Sequence, residues 1–277
     1  MSCLLRTFIL SCLIVLLGNS LLLAQAESIH HLLNEAHKQA KAGQWDRSER
    51  LYFKALKSPR VEDRIRAYEG LVPLYTKLRL FKKAERTRKK LEAEEDLKTR
   101  LVPKSSSYYK KYKILKGDTY AKIAARHTIS QEWLKRANKN QKLIQGKTIL
   151  LPSVKYSIVV SKASKTMTWK RGEEVIKKYP VAVGRVNSQT PAGEFSVINK
   201  AVDPVWYRLG QVYPPESPDN LLGTRWLGLD RKGYGIHGTR DPQSIGFAAS
   251  HGCVRMHNED IEELFSWVPI GTKVIIQ

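Results

Sequence analysis

Glycine and proline recur so densely between Gly184 and Pro218 that no helix of ordinary length fits there. Gly184, Pro191, Gly193, Pro204, Gly210, Pro214, Pro215 and Pro218 all fall within one stretch. Both residue types interrupt helices and mark turns. Between them run short β-branched and aromatic segments such as Tyr156–Ser161 and Thr166–Trp169, with Lys170–Glu173 reading as a turn. Short strands between turn signals predict a mainly-β, sandwich-like or partly open barrel domain over 154–277. A short helix is expected from Asn258 or Asp260 to Trp267, and a last strand over Lys273–Gln277. The N-terminal side has the opposite texture. No glycine occurs between Asp46 and Glu69, and Ala and Leu recur at three- and four-residue spacing, which predicts an α-helical region over 27–102.

Charge is distributed unevenly. The 277 residues carry a net +22, of which residues 27–111 hold +10, 112–153 hold +7 and 154–277 only +4. Such a field favours a polyanion: nucleic acid, anionic lipid or an acidic cell-wall polymer. The first 26 residues choose among them. Arg6 precedes an apolar run from Phe8 to Ala24, and Ala24-Gln25-Ala26 matches a small-x-small cleavage pattern before Glu27. The segment reads as an export signal, or as a membrane anchor if uncleaved. Export to a periplasm or cell wall argues against a nucleic-acid partner. Cleavage would also remove Cys3 and Cys12, leaving Cys253 with no cysteine to pair.

The helical region contains an echo. Trp45, Ser48, Glu49, Arg50 and Ala55 align with Phe81, Ala84, Glu85, Arg86 and Leu91 at a period of 36. This resembles two tetratricopeptide-type hairpins, which implies a protein partner; a plain amphipathic bundle is the alternative. A linker is expected over 103–111. Residues 112–153 then read strand–helix–helix–strand, with Gly117-Asp118-Thr119 capping the first helix and a second helix from Ile129 to Asn138. Gly117-Asp118-Thr119, Trp133…Ala137-Asn138 and Leu143-Ile144-Gln145-Gly146 together resemble the LysM module. That resemblance implies a small α+β (βααβ) domain binding N-acetylglucosamine-containing glycan, hence peptidoglycan. The whole is therefore expected to be multidomain.

Two segments converge on chemistry: Gly235-Ile236-His237-Gly238-Thr239 and Ser250-His251-Gly252-Cys253-Val254-Arg255-Met256. A thiol is mostly protonated at neutral pH, so a cysteine nucleophile needs a basic or positive neighbour. His251 is close in sequence and His237 comes from a separate segment; Gly238 and Gly252 allow close backbone approach. His237, His251, His257 and Cys253 show no standard metal-ligand spacing, so neither metal nor cofactor is expected.

The pair His-Gly-Thr and Ser-His-Gly-Cys-Val-Arg-Met, with Thr190-Pro191-Ala192-Gly193-Glu194-Phe195 upstream, resembles the L,D-transpeptidase catalytic domain (YkuD fold) across 154–277. The resemblance implies Cys253 as nucleophile and His237 as general base. It implies that the Gly238 carbonyl holds the ring, with Ser250, His251 and the Gly252 and Cys253 amides shaping an oxyanion site. Arg255 either orders the loop or contacts a substrate carboxylate. Trp226, with Trp206 and Tyr213, lines a peptide groove or packs in the core. The implied reaction passes through a thioester and forms 3→3 cross-links between peptidoglycan stems. Hydrolysis as a carboxypeptidase, tethering of a wall protein, and a non-enzymatic wall-binding scaffold are the alternatives. A Cys/His endopeptidase places its cysteine before the histidine, the reverse of the order here. The LysM-like module is expected to be separable, its loss leaving turnover of a soluble stem peptide nearly unchanged.

Overall fold

A computed structural model describes residues 28–208 and 210–277. The leader, with its cleavage pattern and Cys3 and Cys12, lies outside the described residues. Among those described, no helix is long and apolar enough to cross a membrane. The chain divides into two compact units between Lys98 and Thr99.

The first unit is helical: α1 (28–41), α2 (Trp45–Ala55), α3 (Val61–Lys77) and most of α4 (Phe81–Leu101). The 36-residue echo aligns the first residues of α2 and α4, Trp45 and Phe81. Leu33, Ala36, Tyr52, Ala55, Leu71, Leu74 and Tyr75 form its core. Gly70 is required by close approach, because a Cβ there would stand 2.2 Å from the Tyr52 ring. Arg64 reaches from α3 to both carboxylate oxygens of Glu94 on α4, at 2.9 and 2.8 Å.

The second unit begins with a small antiparallel pair, β1 (Tyr109–Lys113) and β2 (Thr148–Pro152), enclosing α5 (Tyr120–His127) and α6 (Gln131–Ala137). The strand starts at Tyr109, within the expected linker, because Tyr109 pairs with Pro152 at the far end of β2. Thr119 and Ser130 cap the two helices by accepting from the Lys122 and Trp133 amides. Ile114, Ile123, Ile129, Leu134, Ile149 and Leu151 fill the interior.

Twelve strands follow: β3 (Tyr156–Ser161), β4 (Thr166–Arg171), β5 (Glu174–Pro180), β6 (Val183–Gly184), β7 (Gly193–Val202), β8 (Trp206–Arg208), β9 (Gln211–Tyr213), β10 (Arg225–Leu229), β11 (Gly235–His237), β12 (Ala248–Ser250), β13 (Val254–Arg255) and β14 (Lys273–Ile276), with α7 (Asn258–Trp267) before the last. Eight of them form one sheet in the order β13-β11-β10-β7-β14-β3-β4-β5. The expected sandwich is corrected here to a single curled sheet. The cause is β7, whose residues 193–196 pair with β14 and whose residues 197–202 pair with β10, so one long strand belongs to both halves.

The βααβ segment does not hang from this sheet by a tether. Trp133 of α6 is fully buried and stacks on Tyr156 at 5.4 Å; Tyr156 meets Trp169 at 5.2 Å, and Trp169 meets Trp267 of α7 at 6.3 Å. Arg171, expected in a turn, instead ends β4 almost wholly buried. Its guanidinium lies over the Tyr108 and Trp133 rings, bonds Glu174 at 2.7 Å and donates to the carbonyls of Arg100 and Leu101. The two segments share one aromatic core, which the expectation of a separable module did not include: removing 112–152 would take Trp133 away from Tyr156 and Arg171.

Truncating a buried tryptophan typically costs about 3–5 kcal/mol. Trp133→Ala is expected to destabilise the segment from Thr99 onward by about that amount in denaturant unfolding. It should also lower the thermal unfolding midpoint of the sheet to which Tyr156 and Trp169 belong. Normal stability and an unchanged midpoint would show that the two segments are independent.

Candidate active site

Three strands set the site. β11 lies between β10, antiparallel, and β13, parallel; Trp226 pairs with His237, and His237 pairs with Arg255. Register partners point to one face of a sheet. Trp226, His237 and Arg255 therefore form a row across three strands, and Cys253 lies two residues before Arg255.

His237 is 3% exposed and stacks on the Trp226 ring at 5.8 Å. Trp226 donates from Nε1 to Asn199 Oδ1 at 3.0 Å. It can lie flat because Gly235 has no side chain: a Cβ there would meet the indole at 2.5 Å. His237 Nδ1 lies 2.6 Å from the Gly238 carbonyl. A carbonyl only accepts, so Nδ1 carries the proton and Nε2 keeps its lone pair. Burial, reinforced by Arg255, lowers the His237 pKa to about 4, against the opposing pull of the Gly238 and Leu222 carbonyls. At neutral pH the ring is an uncharged proton acceptor.

Cys253 is half-buried, and burial pushes its thiol up despite the Gly235 amide and Arg255. Its Sγ donates to the Gly233 carbonyl at 3.5 Å, a bond that only the protonated thiol can make. The loop before it is tightly folded. Ser250 Oγ donates to the Cys253 carbonyl at 2.6 Å and accepts from the Gly252 amide at 3.0 Å. Gly252 has φ +119°, and a Cβ there would stand 2.9 Å from Tyr234. The Gly252 amide is thus held by Ser250 and withdrawn from the expected oxyanion site. The Cys253 amide has no acceptor among the described residues. His251 is exposed, and its Nε2 accepts from Arg185 Nη2 at 2.7 Å. Burial, then Arg208, Arg185 and Arg255, push its pKa down.

Trp226 lies over the His237 imidazole. Trp206 and Tyr213 pair with each other on the β8–β9 hairpin at 5.2 Å. Sequence reasoning missed Asn258, which it treated only as a helix start. Its Oδ1 accepts from the Thr224 and Thr239 amides and its Nδ2 donates to the Thr239 carbonyl, all within 3.3 Å. A Cβ on Gly223 or Gly238 would strike that oxygen at 2.3 or 2.2 Å. Asn258 thereby fixes the turn that follows His237. Its signal was the pairing of an amide side chain with two glycines, legible only once the helix is seen to dock there.

The family model of the YkuD L,D-transpeptidase catalytic domain matches residues 155–276. The chain is 41% identical over 173 residues to a protein of Bacillus subtilis that bears the name L,D-transpeptidase YkuD, covering 60% of this chain and 97% of that one. The chain belongs to the YkuD family of L,D-transpeptidases. A second relative, named L,D-transpeptidase YbiS, from Escherichia coli, is 35% identical over 146 residues, 47% of each chain. Among solved structures, an L,D-transpeptidase of Mycobacterium smegmatis aligns with a TM-score of 0.40 at 20% identity, covering 49% of this chain and 64% of that one. The family match contains the whole row and its supports, from Asn199 to Asn258.

Iodoacetamide alkylation of Cys253 in the unliganded enzyme is expected to rise with pH and still be climbing at the ordinary thiol midpoint of 9.0, because burial favours the neutral thiol. A plateau reached below neutral pH would mean a preformed thiolate–imidazolium pair.

Proposed function

We propose that this enzyme is a cysteine-dependent L,D-transpeptidase acting on peptidoglycan stem peptides. The observation that carries the reading is the pairing of β13, which Cys253 directly precedes, with β11, which ends at the buried His237, in the segment the family match covers. His237 Nε2 takes the thiol proton, and Sγ attacks the carbonyl before the terminal D-alanine of a tetrapeptide stem. The Cys253 amide faces the developing oxyanion, with Ser250 locking the loop and His251 at its rim. Return of the proton to the departing amine releases D-alanine and leaves a thioester. The side-chain amine of a neighbouring stem then attacks, giving a 3→3 cross-link and the free thiol. No external energy source is needed, since the cleaved amide is exchanged for a thioester and then another amide. Trp226 and Arg255 flank the base and contact the donor.

The resemblance of residues 112–153 to LysM supports glycan binding, and the +17 carried by residues 27–153 supports attraction to an anionic wall. The signal-like leader supports export, and the helical region is the part left for a protein partner.

Purified tetrapeptide muropeptides incubated with the enzyme should yield a dimer lacking one D-alanine, resolved by mass spectrometry. Without acceptor, the trapped adduct should equal the stem minus D-alanine and sit on Cys253. Cys253→Ala should abolish both, and His237→Ala should lower turnover about 10²–10⁴-fold. D-alanine release with no dimer and no adduct would make the enzyme a carboxypeptidase.

A further inference from the structure

Arg255 is a buried cation without a partner. Only 6% of its surface is accessible, and its Nε is sealed from solvent with no hydrogen-bond acceptor. Asp241 acts on it only through space, and among the described residues no carboxylate lies within ion-pair distance. The other buried arginines are matched: Arg64 by Glu94, Arg171 by Glu174, and Arg225 by Asp203 and the Thr224 carbonyl. A buried charge left unpaired is costly. Packing alone gives no return for holding one beside a nucleophile.

Its neighbours suggest what it is for. Arg255 pairs in register with His237 and lies two residues beyond Cys253. The charged and titratable groups around this pair are Cys253, Asp241 and Arg185, with His251 and Arg208 beyond. On the other side of His237 stands the uncharged Trp226. Helix α7, packed on β11, directs Asp260 and Glu263 to Lys177 instead. The surroundings are net cationic, and their one carboxylate, Asp241, stands beyond ion-pair distance of the guanidinium.

We propose that the Arg255 guanidinium takes a carboxylate of the donor, and that this pairing arms His237 as the base for the Cys253 thiol. The proposal rests on the transpeptidase reading and deepens it. Moving the proton from Sγ to Nε2 turns two neutral groups into a thiolate and an imidazolium. An unpaired guanidinium stabilises the first and repels the second. A carboxylate on Arg255 cancels both effects: the imidazole, register partner of Arg255, becomes the stronger base when the donor is seated, and the thiolate, no longer held by the guanidinium, becomes the stronger nucleophile. The free enzyme keeps its thiol protonated. The ligand class is a peptide with a free carboxylate near the cleaved bond, on the terminal D-amino acid or on the diamino acid before it.

The test is the protonation of His237, followed by NMR in enzyme with labelled histidines and assigned by His237→Ala. Trifluoroacetate, a carboxylate that stays ionised in acid, is compared with chloride at equal ionic strength. Trifluoroacetate should move the His237 midpoint upward by about one pH unit or more, and chloride should not. Arg255→Met should start from the raised midpoint and fail to respond, whereas Arg255→Lys should keep part of the response. An identical midpoint in both salts, or the same carboxylate shift in Arg255→Met, overturns the proposal. If Arg255→Met does not fold, the wild-type comparison and Arg255→Lys decide it. Cys253→Ala enzyme given stem tetrapeptides amidated at one carboxylate or the other then shows which one Arg255 reads. A shift with trifluoroacetate but with no stem peptide would leave the anion site standing and overturn the stem peptide as donor.

Discussion

Parallel pairing of β13 with β11 is the contact on which the site depends. Ile236 meets Val254 and His237 meets Arg255, and this two-residue register brings segments separated by a loop of more than a dozen residues to one face. A slip of one residue would turn Arg255 away from the imidazole and carry Cys253 with it, because side chains alternate across a sheet. The register is held from both ends. The β13 backbone is bridged to Ala182 by two hydrogen bonds of 2.9 Å, and Asn258 fixes the turn after His237.

The same row explains the electrostatics. Trp226, made possible by Gly235, covers the imidazole, and Arg255 flanks it, so the ring is dry and next to a positive charge. Both influences keep it neutral at rest.

A second constraint operates at a distance. The column Trp133–Tyr156–Trp169–Trp267, flanked by Arg171 and Arg136, joins the βααβ segment to the sheet and α7 through side chains. Such a joint allows little swivel compared with a flexible linker. The small βααβ segment is thereby held in a fixed orientation to the sheet that carries the row.

Much of this was legible in the sequence. Gly/Pro punctuation announced the β domain, the glycine-free run announced the helices, and the His-Gly-Thr and Ser-His-Gly-Cys-Val-Arg-Met motifs announced the family, because turn chemistry and motif spacing are local properties. Other features were settled by tertiary structure. Two separate β layers and one curled sheet share the same strand pattern, and only the double pairing of β7 distinguishes them. Arg171 looked like a turn residue until Trp133 was seen to pack over it. The Gly252 amide looked free until Ser250 was seen to bind it. The cationic isolation of Arg255 has no sequence signature at all. Motifs name the reactive groups, but which of them are dry, paired or neutral depends on neighbours that the chain delivers from elsewhere.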